Sequence, residues 1–198
     1  MASPVPTVLS TSLSAAHVFS KASVPSITLI AGLGIVGDCH AGETVQHRSR
    51  LHIQPPPANL RQVHLIPVEI LHSVASTLSA NQKTQLLAPG ALGQNITTQG
   101  IDLLALSVGT ELHFVDPAME EGAVTGPVVV LAGLRNPCPQ INKFQPGLQE
   151  RFLIRDADRK IVGRLAGVMS TVKIGGAIRP GMAIRVVSPG EHVPLGPV

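Results

Sequence analysis

Pro89-Gly90-Ala91-Leu92-Gly93-Gln94-Asn95-Ile96-Thr97-Thr98 places two turn glycines directly before a β-branched run. Glycine supplies positive φ at no steric cost, and Ile-Thr-Thr fits a pleated strand, so the stretch reads as a tight turn feeding a short strand. Downstream, Ile101 to Leu106 reads as another strand and leads through Val108-Gly109 into Glu111-Leu112-His113-Phe114-Val115. A further apolar run covers Val124 to Leu131. Short strands separated by turn residues at this spacing point to a β-barrel or folded sheet and away from a doubly wound α/β fold.

Upstream, Thr7 to Lys21, rich in β-branched and polar residues, and Ile27 to Ile30 read as two early strands, and Gln62 to Ile66 reads as a buried one. Pro67 opens a helix expected over Val68–Ser79, with Val68, Leu71, Val74, Ala75 and Leu78 at helical spacing and Glu69 in the first turn. Gly32 to Gly42 only superficially resembles a phosphate-binding fingerprint, because no amphipathic helix follows it. Glu43 to Pro57 reads as a polar loop closed by Pro55-Pro56-Pro57. Beyond Pro146-Gly147 a short helix runs through Phe152. Asp156 to Arg159 is a turn, and Ile161 to Ile174 with Met182, Ile184 and Val186 supplies the closing strands.

A chain of 198 residues suffices for one domain, and no internal repeat or long linker divides it. Trp and Tyr are absent and only four Phe occur, so Val, Ile, Leu and Ala must build the core. The net charge of +3 is carried by scattered residues, without a basic arm or aromatic platforms, so nucleic acid is not an expected partner. Scattered arginines suit small anions. No run of about 18 uncharged apolar residues is present, so no membrane-spanning helix is expected. Two cysteines exclude a disulfide-stapled scaffold, and the first 25 residues lack the charge pattern of a signal or transit peptide. A cytoplasmic protein is the expectation.

The chemistry concentrates around Leu134-Arg135-Asn136-Pro137-Cys138-Pro139-Gln140-Ile141. Pro139 biases Cys138 towards an extended backbone, and Arg135 nearby favours a thiolate; the alternative is a small buried hydrophobe. In the Asp38-Cys39-His40 stretch the carboxylate is placed to orient the imidazole, or His40 is a capped loop residue, while Cys39 reads as packing. His64, inside an apolar run, reads as a core histidine. Gly93, Asn95 and Thr97 suit either close approach to a ligand or turn chemistry. Arg48 and Arg50 beside His47 form an anion-binding rim or, preferably, a solvated loop. A zinc site of Cys39, His40, His64 and Cys138 lacks the paired spacing such sites use.

Taken in order, Gly37-Asp38-x-His40-Ala41-Gly42, Arg61-Gln62-Val63-His64-Leu65, the stretch from Pro89 to Leu104 and Leu134 to Cys138 resemble a stand-alone MOSC domain, the domain found at the C-terminus of molybdenum-cofactor sulfurases. The resemblance covers about His17 to Val187, within a single domain of residues 1–198. It implies a mainly β, MOSC-type barrel of short strands with a few peripheral helices and a cavity lined by the motif residues. It further implies binding of molybdenum cofactor or a pterin-type precursor, with Cys138 as sulfur carrier or molybdenum ligand and Arg135 assisting it. Asp38, His40, His64, Gly93, Asn95, Thr97 and Asn136 would bind the cofactor. A sulfur donor or a molybdoenzyme would be the partner, and a non-catalytic cofactor carrier is the alternative. Pyridoxal phosphate is not expected, since nothing around Lys173 carries its signature. Two positions depart from the family pattern: Gln94 stands where Glu is usual, leaving an amide unable to act as a general acid or base, and Gly181-Met182 stands where Gly-Asp is usual.

Overall fold

The computed structural model describes residues 5–47, 50–118 and 126–198. Arg48 and the start of the apolar run at Val124 lie outside them. Thirteen strands and four α-helices occur among the described residues. Seven strands close a barrel: β1 (Thr7–Leu13), β6 (Ile96–Gln99), β5 (Val63–Pro67), β11 (Val168–Ile174), β8 (Val128–Leu134), β7 (Glu111–Val115) and β13 (Ala183–Val187), in that order. The pairing Thr7↔Ala183 joins β13 back to β1. β2 (Ala22–Val24) adds to the outer edge of β1.

All barrel pairings are antiparallel except β5 with β6. A parallel pair needs a crossover, and the helices α1 (Val68–Ala75) and α2 (Ala80–Leu87) supply it. Two smaller sheets flank the barrel: β3 (Ile27–Ile30) between β4 (Gly34–Ile35) and β12 (Gly176–Ile178), and the hairpin of β9 (Leu153–Arg155) with β10 (Ile161–Arg164). α3 (Gln140–Phe144) and α4 (Leu148–Arg151) follow the cysteine segment.

Both faces of β5 are buried, and its alternation divides the core. Val63 and Leu65 join one cluster with Val8, Ile96, Leu112, Phe114, Val129 and Val168 inside the barrel. Ile66 joins a second cluster with Leu71, Val74, Leu86, Ile141, Leu148 and Phe152, where the helices cover the outer wall. His64 projects to that same outer face, which is why an apolar run can carry it.

Three local expectations change. Ile101–Leu106 is not a strand: the Asp102 carboxylate accepts from the Leu104 and Ala105 amides at 3.1 and 3.3 Å and winds Leu103–Ala105 into a 3-10 turn. The helix expected over Val68–Ser79 stops at Ala75, and α2 restarts after Ser79, whose amide donates to Gln82 Oε1 at 3.2 Å. The early strand ends at Leu13, and residues 14–21 form a loop.

Candidate functional site

The loop of residues 14–21 is held against the turn before β6. Lys21 donates its amide to the Gly90 carbonyl at 2.9 Å, and Ser20 Oγ donates to the Ala91 carbonyl at 2.8 Å. Gly90 and Gly93 have φ of +75° and +76°, and a Cβ on either would meet the carbonyl of Lys21 or Phe19 at 2.2 or 2.6 Å. Only glycine permits this approach. The Pro89-Gly90-x-x-Gly93 motif is thus a docking surface for a loop that bears His17, Phe19 and Lys21.

Beneath that loop lies a buried polar hub. Asp38 Oδ2 receives Lys21 Nζ at 2.6 Å, Asn95 Nδ2 at 3.0 Å and the Ser14 amide at 3.3 Å. Its Oδ1 receives the His40 amide at 3.0 Å and lies 3.3 Å from His40 Nδ1. The Asp38 and Lys21 side chains are 1% and 3% exposed, so this is an ion pair removed from water. Burial opposes ionisation of Asp38, but the His40 hydrogen bonds and the Lys21 ammonium outweigh it and hold the carboxyl well below its ordinary range. Burial also lowers the pKa of Lys21, with Asp38 opposing. Asn95 completes the hub: its Oδ1 accepts from the His64 amide at 3.1 Å, and Nδ2 also reaches the Ser12 carbonyl at 3.2 Å. Both amide hydrogens of Asn95 are therefore engaged within the protein.

Above the hub opens a cavity of about 300 Å³. Loop 14–21 contributes His17, Val18, Phe19 and Lys21; the next loops add His40, His47, Arg50 and Arg61; β5 and β11 add His64 and Met169. Met169 pairs with His64 in register, so both present to the outer face of the barrel wall. Gly93 and Asn95 come from the turn before β6, and Arg135, Asn136, Cys138 and Gln140 from the segment after β8. This segment leaves the sheet at Leu134 and starts α3 through the Ile141 amide, which donates to the Cys138 carbonyl at 3.0 Å. Cys138 is half-buried and, like Cys39, in no disulfide.

The electrostatics are one-sided. No Asp or Glu lines the cavity among the described residues, whereas Lys21, Arg50, Arg61 and Arg135 do. Arg135 Nη1 and Arg61 Nε are shut off from solvent without a hydrogen-bond partner in the protein. Burial pulls the Arg135 guanidinium down to about 10, with Cys138 opposing the shift and Arg61 adding to it. Burial, then Arg50, lower Arg61, again with Cys138 opposing. Two arginines therefore bear on one thiol. His64 is held well below its ordinary range by burial and by Arg135, and its Nε2 lies 2.8 Å from the Ala166 carbonyl, so it is a neutral imidazole donating to that carbonyl.

Of the residues singled out from sequence, Cys138, Arg135, Asn136, His40, His64, Gly93 and Asn95 line the cavity. Asp38 and Thr97 stand behind it: Asp38 is the hub, and Thr97 Oγ1 accepts from Gln94 Nε2 at 3.4 Å. Gln94 is buried and receives the Leu92 amide on Oε1 at 3.0 Å, so the amide at this position closes the turn. Asn136 Oδ1 accepts from Arg164 Nε at 3.0 Å. Sequence reasoning missed His17, Lys21 and Met169. Arg61 was visible only as part of a motif, and Arg50 only as one side of an open choice.

Among solved structures, the YuaD protein from Bacillus subtilis is similar at 20% identity, with a TM-score of 0.67 over 94% of this chain and 97% of that one. YiiM from Escherichia coli aligns at 17% identity and TM-score 0.59, covering 95% of this chain and 73% of that one. YiiM from Geobacillus stearothermophilus aligns at 14% and 0.58, covering 93% and 76%. At these identities the likeness is one of fold. No curated protein matches significantly. The sequence itself matches the MOSC domain over residues 40–196, which takes in the wall of the cavity from His40 to Met169, and the chain belongs to the MOSC domain family.

Proposed function

We propose that the cavity binds molybdenum cofactor or a pterin-type precursor by its anionic end, with Cys138 as the sulfur-bearing group. The observation that carries this reading is the pair of solvent-excluded, unpartnered N–H groups on Arg135 and Arg61 beside the Cys138 thiol. A buried guanidinium hydrogen without an acceptor costs about 1–3 kcal/mol or more, and an anion removes that cost. The donor set fits the group: planar forks for a phosphate, and a thiolate for a soft metal. When bound, the cofactor supplies a redox-active molybdenum centre to which thiolate sulfur is a suitable ligand.

The chain's own residues have defined parts in this reading. Arg135 and Arg61 hold the anion beside the Cys138 sulfur. His64, neutral, orders the cavity floor, and loop 14–21 covers it. In a sulfur-carrier role, the Cys138 thiolate attacks the outer sulfur of a donor persulfide. A new S–S bond forms to Cys138, the donor's S–S bond breaks, and the donor leaves as a thiolate.

A second reading, a carrier that holds the cofactor without transforming it, is favoured by the lack of any carboxylate among the described lining residues and by Gln94 in a turn-closing role. Protein made in a cofactor-producing host, assayed for molybdenum and for fluorescent pterin, tests binding. Cyanide-labile sulfur after incubation with a persulfide donor tests the role of Cys138. Pterin retained by wild type and lost in Arg135→Gln supports the site; pterin retained equally by both rejects it. Labile sulfur that disappears in Cys138→Ser supports the sulfur carrier, and bound pterin with no labile sulfur in wild type leaves the carrier reading.

A further inference from the structure

Loop 14–21 brings His17 to the adjacent pair Cys39 and His40 beside the cavity: a ligand atom each from His17, Cys39 and His40 lies within 4.8 Å of the other two. Cys39 Sγ is 3.2 Å from His40 Nδ1, and the His17 and His40 rings lie 5.5 Å apart, centroid to centroid. We propose that these three side chains form a site for a late divalent transition ion of the zinc class, with an open coordination position facing the cavity.

One thiolate and two imidazoles are the donors such ions prefer, and three protein ligands leave room for an exchangeable fourth. His17 and His40 both line the cavity, so the open position lies on that side. Asp38 Oδ1 lies 3.3 Å from His40 Nδ1 and 4.0 Å from Cys39 Sγ. With His40 binding the ion through Nε2, its Nδ1–H is left to donate to this carboxylate, which then orients the metal-binding imidazole from outside the ligand set. Docking of loop 14–21 onto the glycine turn is what brings His17 to the pair. This set differs from the cysteine-and-histidine combination that sequence spacing argues against, because it uses neither His64 nor Cys138. It does not depend on the cofactor reading.

The full-length protein, stripped of metal, is titrated with Co²⁺ and followed by the near-ultraviolet thiolate-to-cobalt charge-transfer band. One equivalent is expected to bind with that band in wild type and equally in Cys138→Ser. The band disappears in Cys39→Ser. His17→Ala, at an exposed position, weakens affinity by about 10-fold or more while the far-ultraviolet circular dichroism stays native. No band at stoichiometric cobalt, a band that survives Cys39→Ser, a band lost in Cys138→Ser, or unchanged affinity in His17→Ala overturns the site. Because the readout is cobalt binding to Cys39, it fails or succeeds independently of pterin retention at Arg135.

Discussion

The Asp38 hub and the Arg135–Arg61 wall are neighbours built from similar groups, yet they are opposite in state. Around Asp38 every charge has its counterpart: Lys21 Nζ at 2.6 Å and Asn95 Nδ2 at 3.0 Å, both away from water, and two backbone amides. At the wall, guanidinium hydrogens are buried with no acceptor in the protein. A satisfied buried network fixes structure, whereas an unsatisfied buried donor carries a desolvation cost that an acceptor would remove. The family motifs therefore contain two kinds of polar residue, those fully partnered within the protein and those with a buried N–H that has no partner there.

The sharpest way to break this contrast is to empty the hub. Asp38→Ala leaves Lys21 buried without its partner and is expected to cost about 3–5 kcal/mol, read as a lower denaturant midpoint. Replacing both partners, as Lys21→Met with Asp38→Leu, recovers most of that loss; failure to recover shows that the Asn95 and amide bonds, not the ion pair, dominate. Asn95→Ala removes the acceptor of the His64 amide and a donor to Asp38, and is expected to cost about 1–3 kcal/mol by the same measurement. Arg135→Gln behaves in the reverse manner: stability within about 1 kcal/mol of wild type, but anion affinity, measured calorimetrically with pyrophosphate, reduced by about 10-fold or more.

The smallest effect lies in the pH dependence. The pKa values of His64 and Asp38 are both lowered on folding, so the native state binds fewer protons than the unfolded one. Their contributions are present above the unfolded values and are lost on acidification. The His64 contribution fades as pH falls below about 6.5 and that of Asp38 below about 3.9. His64→Gln should flatten stability between pH 6.5 and the carboxylate range, with the lower limb retained; an unchanged profile there would show that His64 is not held neutral.

Much of the fold was legible because it is local. β-branched runs, turn residues and the apolar face of α1 gave the strands and the first helix, and the ordered motifs pointed to the barrel. Two misreadings came from side chains that override propensity: Asp102 capping a 3-10 turn and Gln82 starting α2. The candidate site was legible where a motif spans adjacent residues, as at Arg135 to Cys138. Lys21 and His17 carry no such spacing, since they reach the cavity only through loop 14–21. Gly93 suited either close approach to a ligand or turn chemistry, and in the fold Gly90 and Gly93 face the Lys21 and Phe19 carbonyls. Asp38 is polar in an apolar neighbourhood, a pattern shared by ligand-binding and buried charges, and its partner Lys21 distinguishes the two only in three dimensions.

The barrel closes through a narrow seam. Where β8 and β11 pair along six register positions, β1 and β13 share the single pair Thr7↔Ala183, supported by Val8 donating to the Met182 carbonyl, Gly181 to that of Val8 and Ile184 to that of Pro6. Loop 14–21 continues directly from β1. Local opening at this seam frees the staves with the fewest shared bonds first, so their amides exchange with deuterium ahead of those of β8 and β11.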